Sequence, residues 1–204
     1  MAAKPAALRT QKFGALRTKS RAVSKALQVR GGGPLDSYQA ALDAKPILTK
    51  CCTSLTGFAA GDALAQLAIE KKGFDLKRFA KMCSFGFLIH GTTGHYFYNF
   101  LESIIPGPSP WWKVPLKTAI DQTLWAPVFM TMLFTYFGIF DGKPGTIWAT
   151  MQRDMFTAVS GSWKTWIPAH TINFAFVPAD MRILYINAIQ IGFNCFLSIL
   201  GSKE

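Results

Sequence analysis

The stretch Trp163-Lys164-Thr165-Trp166-Ile167-Pro168-Ala169-His170-Thr171-Ile172-Asn173-Phe174, followed by Val177-Pro178 and Arg182, decides how this chain folds. Two tryptophans, a proline, an amide and a Val-Pro step sit in a region otherwise apolar enough for a bilayer. Polar groups and helix breakers at that depth cost free energy unless neighbouring helices satisfy them. The stretch therefore predicts one member of a helical bundle with a specified interior.

The rest of the chain supplies the other members. A bilayer-spanning helix needs about 20 mainly apolar residues. Such runs are expected at about 47–69, 79–101, 116–140 and 181–200, separated by a charged loop at 70–78, by Pro106-Gly107-Pro108-Ser109-Pro110 and by Asp141-Gly142-Lys143-Pro144. Trp111-Trp112-Lys113 reads as an interfacial anchor. The more polar 147–160 reads as an amphipathic helix or as the approach to the next span. The region from Trp163 is expected to break at both Pro168 and Pro178. The predicted class is all-α: a multi-span transmembrane bundle of about four spans plus amphipathic or short helices.

Composition agrees. Charged residues are 16% of the chain against about 25% in an ordinary soluble domain. With a mean hydropathy of +0.21, that deficit fits a surface facing lipid. The formal net charge of +11 is concentrated at the N-terminus, where eight basic residues from Lys4 to Arg30 precede the first acid, Asp36. A nucleic-acid site would need the cations on the folded part beside stacking aromatics, so nucleic acid is not an expected partner. Residues 1–33 are basic and rich in Ala, Ser and Thr, the composition of an organelle-targeting transit peptide. A lipid-binding basic tail is the other reading of the same residues. Gly31-Gly32-Gly33-Pro34 separates this arm from a helical membrane domain at 34–204. Cys51, Cys52, Cys83 and Cys195 form no Cys-x-x-Cys pair and are expected to be reduced.

Several polar residues recur inside the apolar runs. Gly57 and Gly61 are four apart and form a groove for close helix packing. Asp62 and Gln66 share a neighbouring face; an acid there should turn toward protein or water. Asp121-Gln122 repeats the acid–amide theme, followed by Pro127. Asn187, Gln190 and Asn194 form a polar stripe, and Asn173 precedes Pro178. Together these faces would make a seam through the bundle, either wet or locked. His95 and His170 are relay or hydrogen-bonded candidates, and His90 with His95 makes no metal pair. Asp180 and Arg182 are expected as a weak surface ion pair or as lipid-headgroup contacts. No catalytic, metal or cofactor motif is present, so an enzyme is not expected.

In their order and spacing, Tyr38, Gly61-Asp62, Gln66, Asp75, Arg78, Gly91, His95, Tyr98, Asp121-Gln122, Pro127, Trp163, Trp166, Asn173-Phe174, Val177-Pro178, Arg182 and Asn194 resemble the peroxisomal membrane protein twenty-two / Mpv seventeen family. Departures are Thr92, Phe97, Ile167, His170 and Phe193. The resemblance implies a four-span protein of the mitochondrial inner membrane, with the peroxisomal membrane or plastid envelope as the alternative. It also implies a weakly selective solute channel supporting metabolite or redox homeostasis. The candidate pore-lining or helix-coupling residues are Asp62, Gln66, His95, Asp121, Gln122, Asn173, Arg182 and Asn187, with Gly57 and Gly61 for packing. Expected partners are the bilayer, small solutes or ions, and a homo-oligomer or larger membrane complex. A non-transporting assembly subunit is the second reading.

Overall fold

A computed structural model describes residues 33–201, with side chains to Cys195. The targeting segment expected over 1–33 lies outside the described residues, except for Gly33. Among the described residues there are six helices: α1, Pro34–Ala44; α2, 46–70; α3, 76–104; α4, Lys113–Phe140; α5, Ile147–Phe176; and α6, Arg182–Gly201. No strand occurs among the described residues. The chain divides at Ala44: α1 ends the first unit, and α2 to α6 make up the second.

Local chemistry sets the helix ends of the second unit. Pro46 opens α2, where its missing N–H would have no intrahelical partner. Asp75 caps α3 by accepting the Arg78 N–H at 2.9 Å. Short connections at 71–75, 105–112, 141–146 and 177–181 make sequential helices antiparallel. Helix α2 packs extensively on both α3 and α6, while α4 packs on α5. Tyr98, Leu101, Phe174, Ile183 and Ile186 form a buried apolar cluster.

One expected break is absent. Helix α5 runs unbroken from Ile147 to Phe176 through Pro168, and the chain turns only at Pro178. Pro168 removes a single backbone donor, a loss that a helix packed against neighbours tolerates. The 147–160 segment is thus continuous with 161–176 in one helix, not a separate helix.

Burial is inverted relative to a water-soluble bundle. Leu55, Leu67, Leu88, Phe100, Leu124, Ile139, Phe156 and Ile172 are exposed, whereas Asp62, Gln66, Asp121, Gln122, Asn173 and Asn187 are buried. The apolar segment Ala126–Phe140 has no buried residue. By length and composition, α4 qualifies as a membrane-crossing helix.

Candidate functional site

Three π-helical turns carry much of the polar interior. Ala65–Glu70 holds Gln66, Gly86–His90 holds His90, and Asp121–Trp125 holds Asp121 and Gln122. A π turn adds a residue to the helical repeat and re-aims the side chains beside it; such turns recur at functional sites.

The turn in α4 shows how the sequence builds this. Within it the Ala126 N–H bonds to Asp121 O, so Gln122 O loses its α-helical donor. The next donor in π register belongs to position 127, a proline without an N–H. The freed carbonyl accepts from the Trp163 indole of α5 at 3.4 Å, a long hydrogen bond. Pro127 and Trp163 are therefore parts of one joint between α4 and α5.

Asp121 is 1% exposed. Its Oδ2 accepts from Gln122 Nε2 at 2.6 Å and lies 3.4 Å from His170 Nε2. The Tyr98 hydroxyl also faces this carboxylate. These residues, with His90, Ser162 and Gln190, line a cavity of about 110 Å³. Its apolar wall includes Phe58, Trp125, Phe129 and Trp166. Trp125 is fixed by stacking on Phe97 at 4.2 Å. Gln122 Oε1 and His170 Nδ1 have no protein partner among the described residues. With the Nε2 proton directed at Asp121, His170 Nδ1 is an acceptor, so the lining can accept from a water or a polar solute.

Other candidates are placed elsewhere. Asp62 forms an ion pair with Arg78 Nε at 2.7 Å and accepts from Gln66 Nε2 at 2.7 Å. Gln66 also bonds the backbone of Asp75, and Arg78 reaches Glu70 at 2.9 Å. Burial would lower the Arg78 pKa, but Glu70 and Asp62 outweigh it and the net direction is upward. This cluster locks the α2–α3 turn and does not line the cavity. Asn187 donates to Ser54 Oγ at 3.2 Å, leaving that hydroxyl free to donate to His90 Nδ1 at 2.9 Å. Gly57 and Gly61 face Asn187 and Asn194 of α6, so the groove is filled within the chain. Asn173 is fully buried and makes no side-chain hydrogen bond among the described residues. His95 is half-buried beside Asn99, away from the cavity.

Arg182 departs from the expected surface pair. It is 3% exposed, and its Nη1 meets Glu102 Oε2 at 2.8 Å. Lys117, fully buried, meets the same oxygen at 2.7 Å. Both cations lie over the Phe174 ring. The second apolar run ends at Leu101, which puts Glu102 at its rim. Burial pushes the Glu102 carboxyl up, but hydrogen bonds from Lys117, Gly107 N–H and Arg182 outweigh this and hold its pKa at about 2. At the opposite end, the Lys81 ammonium holds the Asp141 carboxyl below its ordinary value.

The sequence reading missed Tyr98 as a partner of Asp121, Ser54 as the link between His90 and Asn187, and the Glu102–Lys117 pair. A cation inside an apolar run, as Lys117 is, was the available signal for the last. Among the described residues no group of His, Cys, Asp and Glu is arranged to hold a metal.

Comparisons place these residues among known sequences. A sequence model of the Mpv17 / PMP22 family matches residues 138–198. Protein sym-1 of Neurospora crassa is 32% identical over 173 residues, covering 83% of this chain and 99% of that protein. PXMP2/4 family protein 3 of Dictyostelium discoideum is 33% identical, covering 82% and 90%. Peroxisomal membrane protein 2 of Bos taurus is 30% identical, covering 88% and 98%. No solved structure matches significantly.

Proposed function

The chain belongs to the Mpv17 / PMP22 family, and from that membership we propose that it is a multi-span protein of an organellar membrane that lets small solutes pass through the Asp121–His170 cavity. The carrying observation is that cavity: about 110 Å³ inside the second unit, lined by an acid, amides, histidines and aromatics. A path with a carboxylate and imidazoles among ring faces admits small polar solutes with weak selectivity.

The multi-span reading rests on the inverted burial. Helices α2 to α6 are each 20 residues or longer, enough for a hydrocarbon layer of about 30 Å. Several are too polar on average to read as spans alone. Asp62, Gln66, Asp121, Gln122, Asn173 and Asn187 face inward, however, and many large Leu, Ile, Phe and Trp side chains are exposed. The basic arm supports delivery to the mitochondrial inner membrane; the name of the bovine relative supports the peroxisomal membrane. Fractionation of organelles separates these two. The role is conductive, not catalytic. The assembly-subunit reading loses its principal contact because α6 occupies the Gly57/Gly61 groove.

Reconstituted protein should release small polar solutes from liposomes and give conductance steps in planar bilayers. Asp121→Asn should change ion selectivity, whereas Asp62→Asn, at a lock outside the cavity, should change it little. Flux no higher than in protein-free liposomes, or unaltered selectivity in Asp121→Asn, overturns the proposal.

A further inference from the structure

Buried cations converge at the end of the second unit formed by the 105–112 and 177–181 connections. Lys50 of α2 is 2% exposed, Lys117 of α4 is 0% and Arg182, the first residue of α6, is 3%. Arg182 is within electrostatic reach of both lysines. Lys113 lies beside Lys117, its ammonium on Pro106 O at 2.8 Å. The carboxylates facing this group are Glu102, held by Lys117 and Arg182, and Asp180, near Lys50. Four cations against two carboxylates leave a surplus of two positive charges.

Two donors in the cluster are uncommitted. Among the described residues no hydrogen bond or ion pair reaches the Lys50 ammonium, and Arg182 Nε is buried without an acceptor. The Lys50 ammonium, beside a guanidinium of like charge and faced by Asp180, carries a desolvation cost that this carboxylate offsets only in part.

We propose that Lys50, Arg182 and Lys117 form a binding site for a phosphate group at this end of the molecule. A phosphate monoester carries nearly two negative charges at neutral pH, matching the surplus. Its three oxygens suit a guanidinium edge together with lysine point charges. The first N–H groups of α6 point to the same end and favour an anion. The group is a soluble phosphate or a phospholipid head; both present the same chemistry. This inference is independent of permeation, since it concerns binding at the rim and not passage through the cavity.

The test uses the full chain in phosphatidylcholine nanodiscs. Radiolabelled inorganic phosphate is titrated by equilibrium dialysis. In parallel, protein taken from phosphatidylcholine vesicles containing phosphatidate is examined by native mass spectrometry for retained phosphatidate. Saturable phosphate binding identifies a soluble occupant; phosphatidate retention without phosphate binding identifies a lipid head. In either case Lys50→Gln should weaken the interaction at least about ten-fold, the loss expected for a charge-assisted hydrogen bond, and Lys50→Arg should restore most of it. Lys50 makes no hydrogen bond among the described residues and its burial outweighs the pull of Asp180, so Lys50→Gln should fold and melt no lower than wild type without ligand. Arg182→Gln, which also frees Glu102, is secondary. Absence of both phosphate binding and phosphatidate retention, or equal binding by wild type and Lys50→Gln, overturns the proposal.

Discussion

Arg78 reaches back across the α2–α3 turn to Asp62, with its Nε 2.7 Å from a carboxylate oxygen that is almost wholly buried. Gln66 holds the other oxygen at 2.7 Å. Breaking a buried pair by removing one partner strands the other charge. Asp62→Asn is therefore expected to destabilise the protein in detergent by about 3 kcal/mol. Asp62→Asn with Arg78→Gln should cost less than the sum of the two single changes. A thermal-unfolding double-mutant cycle checks this, and strict additivity would show that the pair contributes nothing.

Gly57 and Gly61 make different demands. A Cβ at Gly57 would sit 2.5 Å from Asn187 Oδ1 and 2.7 Å from Asn187 Cβ. A Cβ at Gly61 meets the movable amide of Asn194 at 2.6 Å, with its Cβ at 3.3 Å. Gly57→Ala should push α2 from α6 and cost about 1–3 kcal/mol, with Gly61→Ala milder. Asn187→Ala should not rescue Gly57→Ala, because the Asn187 Cβ remains. Unfolding temperatures of the three variants decide the ranking.

The joint at Gln122 predicts a dependence between two distant residues. Trp163→Phe leaves Gln122 O without its donor and should cost about 1–3 kcal/mol. In a Pro127→Ala background, position 127 regains an N–H that reaches this carbonyl in π register. Trp163→Phe should then be nearly neutral in hydrogen-bond terms. An equal cost in both backgrounds would dissolve the link.

Glu102 sets an acid limit. Its folded pKa is about 2, below the ordinary 4.5. A depressed carboxylate contributes stability that is fully present above the unfolded value and lost as pH falls toward the folded one. Stability should thus decline between about pH 4.5 and pH 2, with Asp141 adding in the same direction. Glu102→Gln should be less stable at neutral pH and show a flatter profile across that window. Melting curves of both proteins from pH 7 to pH 2 report it.

Much of the helix plan is readable in the sequence because it follows from one-dimensional signals. The apolar runs, the Pro106–Pro110 break and Asp141-Gly142-Lys143-Pro144 bracket helices within a few residues of where they lie. Pro168 misleads because a proline's local effect is certain while its tolerance depends on neighbours. Asp62 and Asp121 read alike as acids in apolar runs, yet one is locked against Arg78 and the other walls a cavity.

The sequence by itself determined that the chain is helical, that most acids and amides of its apolar runs face inward, and which family it resembles. Hydrophobic periodicity, helix breakers and the cost of polar groups in an apolar layer are all written along the chain. Only the tertiary structure decided which polar groups meet. Gln122 is joined to Trp163 through a π turn, Arg182 is drawn inward to Glu102, and Lys50 is buried without a hydrogen bond among the described residues. Those pairings depend on helix rotation and register, and a single extra residue in a π turn changes both.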